Sequence, residues 1–360
     1  MTKLNTLTTL LLSTLLAASA VSSVSARGAN SARTGTGPDS LEHGSAFCEI
    51  GLGAVPFANE TLTRAFLGRR DEWAKSLSAY DLGARQATTD PTDVGEFLKF
   101  APDHARDWTA EEVEQWQPLV DDLDAALIGL KVKIPVAFMS KTTGEEELNA
   151  NAYTRERTVF FNGDLASLPS TNPRAAFRLL AHEFFHIASR NDPAIRDALY
   201  ELIGFHGIDG FEYPPSLEER RVTNPDAFRY NYAITVDSPD GLVDVVVIIQ
   251  QSVPLEDVIG NNFFATISFR LVAVDPESGV PLDDGNGHPV LYHFGNTDYI
   301  PRTLRNTDFI IAADEILAEN FATLMEWRKD GVLPPDSGGF AINDQQLLED
   351  IEATLALGCD

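Results

Sequence analysis

The chain has 360 residues, of which 54 are acidic and 27 basic, so it carries a formal charge of −27 with its seven histidines neutral. A surface this negative repels phosphate backbones and anionic lipid, which argues against nucleic acid and membrane surfaces as partners. With 44% hydrophobic residues and no internal repeat, there is ample core for one large domain or two lobes.

The first element reads as a leader. Lys3 gives a weak positive start, Leu7 to Ala20 an apolar stretch, and Ala18-Ser19-Ala20 and Val24-Ser25-Ala26 two small-x-small cleavage sites, of which the second is favoured. Residues 1–26 are therefore expected to be a signal peptide, and the mature chain to be secreted, extracellular or periplasmic. Residues 27–45, rich in Gly, Ser, Ala and Thr, read as a disordered lead-in, and 46–360 as the folded domain. Cys48 and Cys359 lie near opposite ends of the mature chain, and in an oxidising compartment they are expected to form one disulfide. The loop they close is long, so the chain-entropy argument gives it roughly 3 to 5 kcal/mol.

From Asn59 to Leu130 the pattern is mostly helical. Thr109-Ala110-Glu111-Glu112 is a capping box opening a helix through Trp116, Leu119, Val120, Leu123 and Leu127, and Pro118 is expected to kink or split it. Val132-Ile134-Val136-Phe138 alternates as a strand, Lys141 to Glu147 is a polar loop, and Ala152-Tyr153-Thr154 and Thr158 to Phe161 read as strands. Then comes His182-Glu183-Phe184-Phe185-His186, inside a helix predicted from Pro173 to about Arg190 with Asn172 as its N-cap. Histidines four apart lie one above the other on one helical face, so both imidazoles reach one ion. Glu183 beside them is placed to hold a water rather than the metal, and zinc lowers the pKa of such a water to about 7. Two histidines and a Glu on an otherwise apolar helix are costly to bury unless something pairs with them.

A short helix, Ala194 to Ile203, is expected to end at Gly204. Tyr230 to Val236, Leu242 to Gln250 and Phe263 to Val274 are β-rich, with Ser238 to Gly241 as a turn and a last strand at Val290 to Phe294. They form a β-rich insertion at about 228–295. The Asp283-Asp284-Gly285-Asn286-Gly287 loop fits no EF-hand pattern and reads as solvated rather than calcium-binding. A helix from Ala313 to about Lys329 follows, and a final one from about Asn343 to Leu357.

Zinc catalysis needs a third protein ligand and one open position. The chain beyond His186 runs to Asn191-Asp192-Pro193 with no further histidine, so the ligand comes from elsewhere. Glu315 and Glu319 lie four apart on one face of the Ala313 helix. The first is the candidate ligand, and the second is placed to accept the outer N–H of a ligating histidine. Asp314 is the nearest competitor as ligand, and Glu319 the next. A hydrogen-bond donor to the oxyanion is expected too. Tyr200 and His206 lead because they follow the His182 helix closely, ahead of Tyr153, Tyr230, Tyr232 and His293.

His-Glu-Phe-Phe-His followed by a later helix bearing Glu-x-x-x-Glu resembles the gluzincin branch of the zincin metallopeptidases, the thermolysin-like enzymes, and also poorly characterised secreted bacterial zincins. The resemblance covers the two helices and the strands before the first. It departs in the gap between the helices, which is far longer here. It implies an α+β, zincin-like fold with a helical N-terminal part, a zinc cofactor on His182, His186 and Glu315, Glu183 as general base, and Glu319 orienting a histidine. It further implies that the strands ahead of the helix hold an extended peptide by edge pairing. The expected function is a secreted zinc metallopeptidase acting on a peptide or protein substrate. Two other readings share the motif: a non-catalytic, zinc-stabilised binding protein, and a zinc amidase acting on cell-wall peptide. The intact Glu183 favours catalysis, since a structural zinc closes its fourth position.

Overall fold

A computed structural model describes residues 51–134 and 136–356. The leader, the lead-in and both cysteines lie outside the described residues.

Side-chain caps start the N-terminal helices where the sequence supplies them. Asn59, Asp71, Ser78 and Asp93 cap Glu60–Leu67, Glu72–Ser76, Ala79–Arg85 and Val94–Phe100 in turn. Thr109 and Glu112 form the expected capping box of Ala110–Leu127. That helix runs unbroken through Pro118, contrary to the expected split. Pro118 and Glu114, whose carbonyl loses its i+4 donor, both lie on the exposed face, where water serves the freed carbonyl. The opposite face buries Trp116, Leu119, Val120, Leu123 and Leu127.

The fold is α+β. Strands β1 (Gly51–Leu52) and β3 (Lys133–Ile134) pair in parallel. Strands β2 (Ala105–Arg106), β4 (Phe138–Thr142), β5 (Ala152–Arg155) and β6 (Thr158–Asn162) form a four-stranded sheet in the order β2-β4-β6-β5, with β5 on the edge. The expected single strand 132–138 is thus two: β3 ends at Ile134 and β4 begins at Phe138, with an exposed Val136 between. Pro135 has no N–H to give a ladder.

The segment read as a polar loop, 141–147, is also different. Strand β4 holds Lys141 and Thr142, and Glu146 and Glu147 are buried in a 3-10 turn. Glu147 takes both ends of the Arg85 guanidinium, Nε at 2.8 Å and Nη2 closer still, while Arg85 Nη1 reaches Asp81 at 2.7 Å. The buried charges are therefore paired, as burial requires. Glu146 is not ion-paired; its Oε1 accepts from Tyr153 Oη at 3.1 Å. Burial pushes its carboxyl up to about 7. A carboxyl raised on folding favours the native state at low pH, and that contribution is lost as pH rises from about 4.5 through 7. We therefore expect Glu146→Gln to gain stability over wild type as pH goes from 5 to 8, by on the order of 3 kcal/mol, in denaturant melts. A pH-independent difference contradicts this assignment.

The second sheet has the order β11-β10-β9-β8-β7, antiparallel throughout: β7 Phe205–Gly207, β8 Tyr232–Ser238, β9 Gly241–Gln251, β10 Ile267–Val274 and β11 Leu291–Tyr292. Residues 263–266, expected in β10, form a 3-10 turn, and β11 is only two residues long. Edge strand β7 comes from outside the 228–295 segment. Val245 and Val247 face the core shared with the His182 helix, while Val246 faces Ile208 and Val274 on the other side. Both faces are covered at the centre, which is why β9 reads as a continuous apolar run. The Asp283 and Asp284 carboxylates are exposed and accept backbone N–H groups of Gly285 and Asn286.

Two long helices cross the core: Pro173–Asn191, capped by Asn172, and Ala313–Asp330. They pack directly on each other, and each also touches Ala110–Leu127. Packed against β7 and Gln345–Leu355, Pro193–Leu202 ends beside Gly204, whose positive φ of 83° suits a residue without Cβ. Gln345–Leu355 closes the core through Leu347, Ile351 and Leu355. Among the described residues no helix is long and apolar enough to cross a membrane.

Candidate metal centre

The Pro173–Asn191 helix buries nearly all of its circumference, Phe177, Leu180, Phe184, Phe185 and Ile187 included. His182, Glu183 and His186 are carried inside with it, 9%, 3% and 1% exposed. What meets them is the Ala313–Asp330 helix. Glu315 Oε2 lies 3.2 Å from His182 Nε2 and 3.6 Å from His186 Nε2. One ligand atom from each of His182, His186 and Glu315 lies within 4.8 Å of the other two, so the three residues could hold a metal ion. Neither ring nitrogen of His186 has a hydrogen-bond partner, although both are buried. Such orphaned nitrogens fit a ligand that the protein itself does not supply.

The surroundings aim these atoms. Glu319 Oε1 lies 3.0 Å from His182 Nδ1, the nitrogen turned away from Glu315. Glu319 Oε2 in turn accepts from Arg178 Nη2 at 3.1 Å. Arg178 also donates to Thr323 Oγ1 and Glu326 Oε2 at 3.0 and 3.2 Å, and Arg174 binds the same Glu326. These bonds lock the two helices one turn before His182. Asn224 Nδ2 donates to Glu315 Oε1 at 2.5 Å, which leaves Oε2 toward the histidines. Burial would raise the Glu315 carboxyl, but the His186 and His182 rings outweigh it and hold the group below the usual carboxylate range. Glu319 is held low too, burial being outweighed by His182 and Arg178. For Glu183 burial dominates and the Asp226 carboxylate adds to it, so its carboxyl is pushed well up. Glu183 Oε2 is buried without a hydrogen-bond partner.

Arg178, Asn224 and Asp226 were missed in the sequence reading. Asn224 and Asp226 lie in an irregular loop, and no local pattern marks their approach to Glu315 and Glu183. A signal existed for Arg178. It sits four residues before His182, on the same face and among the apolar Phe177, Leu179 and Leu180, and a buried guanidinium there demands carboxylate partners.

His182, Glu183, Glu315 and Glu319 line a cavity of about 530 Å³ between the two sheets' ends. Tyr200 and His206, the expected oxyanion donors, are not among the residues that line it. Tyr200 is fully buried with its ring against Tyr232, and burial and the neighbouring Asp314 raise its hydroxyl well above the ordinary range. His206, on β7, pairs with Asp244 at 3.0 Å. Of the other tyrosines and histidines considered, Tyr153 alone lines the cavity, and its hydroxyl is taken by Glu146. Asp314, the competing ligand, faces Tyr200 and not the cavity.

If Glu319, 3.0 Å from His182 Nδ1, orients that ring and does not itself bind metal, Glu319→Ala is expected to weaken zinc binding roughly 10- to 100-fold without abolishing it. Zinc competition with a chromophoric chelator measures it. A larger loss than that of Glu315→Ala reverses the two roles.

Residues 140–194 match the family model of the eCIS core domain. The match runs from β4 through the His182 helix. No curated protein and no solved structure matches the chain.

Proposed function

We propose that the chain is a secreted zinc-dependent metallopeptidase with a zincin-like, gluzincin-type site. The observation that carries this reading is the convergence of His182, His186 and Glu315 around one point, with an unpartnered Glu183 oxygen beside it. Bound zinc would supply Lewis-acid polarisation of a water and of a substrate carbonyl. The chain's own residues do the rest. Glu183, with its Oε2 free of any hydrogen-bond partner, takes a proton on that oxygen and returns it to the leaving nitrogen. Glu319 and Asn224 keep His182 and Glu315 turned inward. Zinc is the natural occupant of a two-His, one-Glu set. Secretion rests on the leader-like residues 1–26.

The partial eCIS core match supports a second reading, in which the chain serves an extracellular contractile injection system and the zinc only ties two helices. Mass spectrometry of an unfolded protein substrate incubated with the zinc-loaded chain separates the two. New termini at peptide bonds, absent after chelation, support the peptidase. Their absence at full zinc occupancy supports the second reading.

A further inference from the structure

The cavity beside His182 is unequal at its two ends, and strand β5 shows why. β5 is an edge strand, paired only with β6. Asn162 N donates to Asn151 O, so Asn151 faces β6, and alternation turns Ala152 and Thr154 outward. The outward Thr154 is already engaged. Its N–H donates to Asp226 Oδ1 at 2.9 Å, its hydroxyl to the same oxygen, and Arg190 Nη2 binds both Thr154 Oγ1 and Asp226. Asp226 also offers an oxygen within 4.8 Å of ligand atoms of Glu183 and His186, so this plug stands beside those two side chains. At the other end a second cavity adjoins. Leu148, Asn151, Phe263 and Phe264 line both the metal cavity and this second one of about 640 Å³, which lies off the start of β5.

The wall facing β5 is apolar. Phe264, Ile267, Phe269 and Phe309 are only half-buried, and Ile249 and Ile311 lie behind them. The Phe309 ring centroid is 6.4 Å from that of His182. Half-buried aromatic surface inside a cleft gains by covering with another apolar group.

Building on the peptidase reading, we infer that the cleft receives an extended peptide from one end only. Its backbone pairs with the outward N–H and C=O of Ala152. A bulky apolar side chain sits against Phe264, Ile267, Phe269 and Phe309. The rest of the peptide leaves past Asn151 into the second cavity, and the Thr154–Asp226–Arg190 plug limits it on the other side. Bonds near one terminus, beside an aromatic or large aliphatic residue, are then the ones presented to the metal.

Binding tests this apart from hydrolysis. The probe is acetyl-Ala-Ala-Phe-Ala-Ala-amide, titrated by calorimetry into zinc-loaded Glu183→Gln protein. Replacing its Phe by Asn should weaken binding about tenfold or more. A short Gly-Ser extension should be tolerated at one end and cost about tenfold at the other. Ile267→Trp, which fills the apolar seat, should weaken the Phe peptide about tenfold with zinc content unchanged. Phe309→Ala serves the same purpose if the larger side chain prevents folding. Equal affinity for Phe and Asn peptides, equal tolerance at both ends, or no binding at all overturns the inference. This pattern without any hydrolysis by wild type leaves the cleft assignment standing and refutes the peptidase.

Discussion

Glu315→Ala should cost more zinc affinity than any other single change outside the two histidines. The substitution removes one of the three residues that could hold the ion and leaves His182 and His186 facing a void. It also removes the acceptor of Asn224 Nδ2, so a buried amide loses its partner. We expect affinity to fall well beyond the roughly 100-fold ceiling of an orienting residue. The fold should survive, because Ile316, Leu317, Phe321 and Leu324 continue to anchor that helix. Equilibrium zinc competition and thermal unfolding, run on the same protein, separate the two effects. Zinc affinity within a few fold of wild type places the third ligand elsewhere and ends the gluzincin reading.

Glu183→Gln should do the opposite: keep the metal and lose the chemistry. Glu183 is beside the ligand cluster but is not part of the His182–His186–Glu315 set. Gln has nearly the same shape and cannot take a proton, so hydrolysis should drop on the order of a hundredfold or more. Burial and Asp226 both disfavour the ionised carboxylate, so the neutral amide should leave stability equal or improved at neutral pH. Turnover assays with zinc content measured on each preparation decide it. Unchanged turnover refutes the mechanism, and lost zinc makes Glu183 a structural residue.

The His182 helix and the Glu315 helix were legible because a period of four residues places side chains on one face whatever the tertiary fold. Both helices lie where the sequence puts them, within a residue or two. The strands flanking the loop at 156–157 were legible for the same kind of local reason, alternation and turn residues. What failed depended on distance through space. Tyr200 follows the His182 helix closely in sequence, yet its ring packs against Tyr232 and does not line the cavity. Asn224 and Asp226 reach the site from a loop more than thirty residues beyond His186, and a loop's course leaves no periodic trace. Glu146 and Glu147 read as part of a polar loop, but they are buried against partners, Tyr153 and Arg85, that come from other elements. Pro118 was expected to kink or split its helix, and the helix is not split, since Pro118 and the freed Glu114 carbonyl lie on its exposed face.

The central claim is that one zinc on His182, His186 and Glu315 makes this chain a peptidase. Stepwise addition of zinc to metal-free protein, with bound metal and peptide cleavage followed in the same samples, tests it most directly. Cleavage should rise in proportion to occupancy and level off at about one zinc per chain. Full occupancy with no cleavage of any unfolded protein, or cleavage already complete in the metal-free chain, contradicts the account.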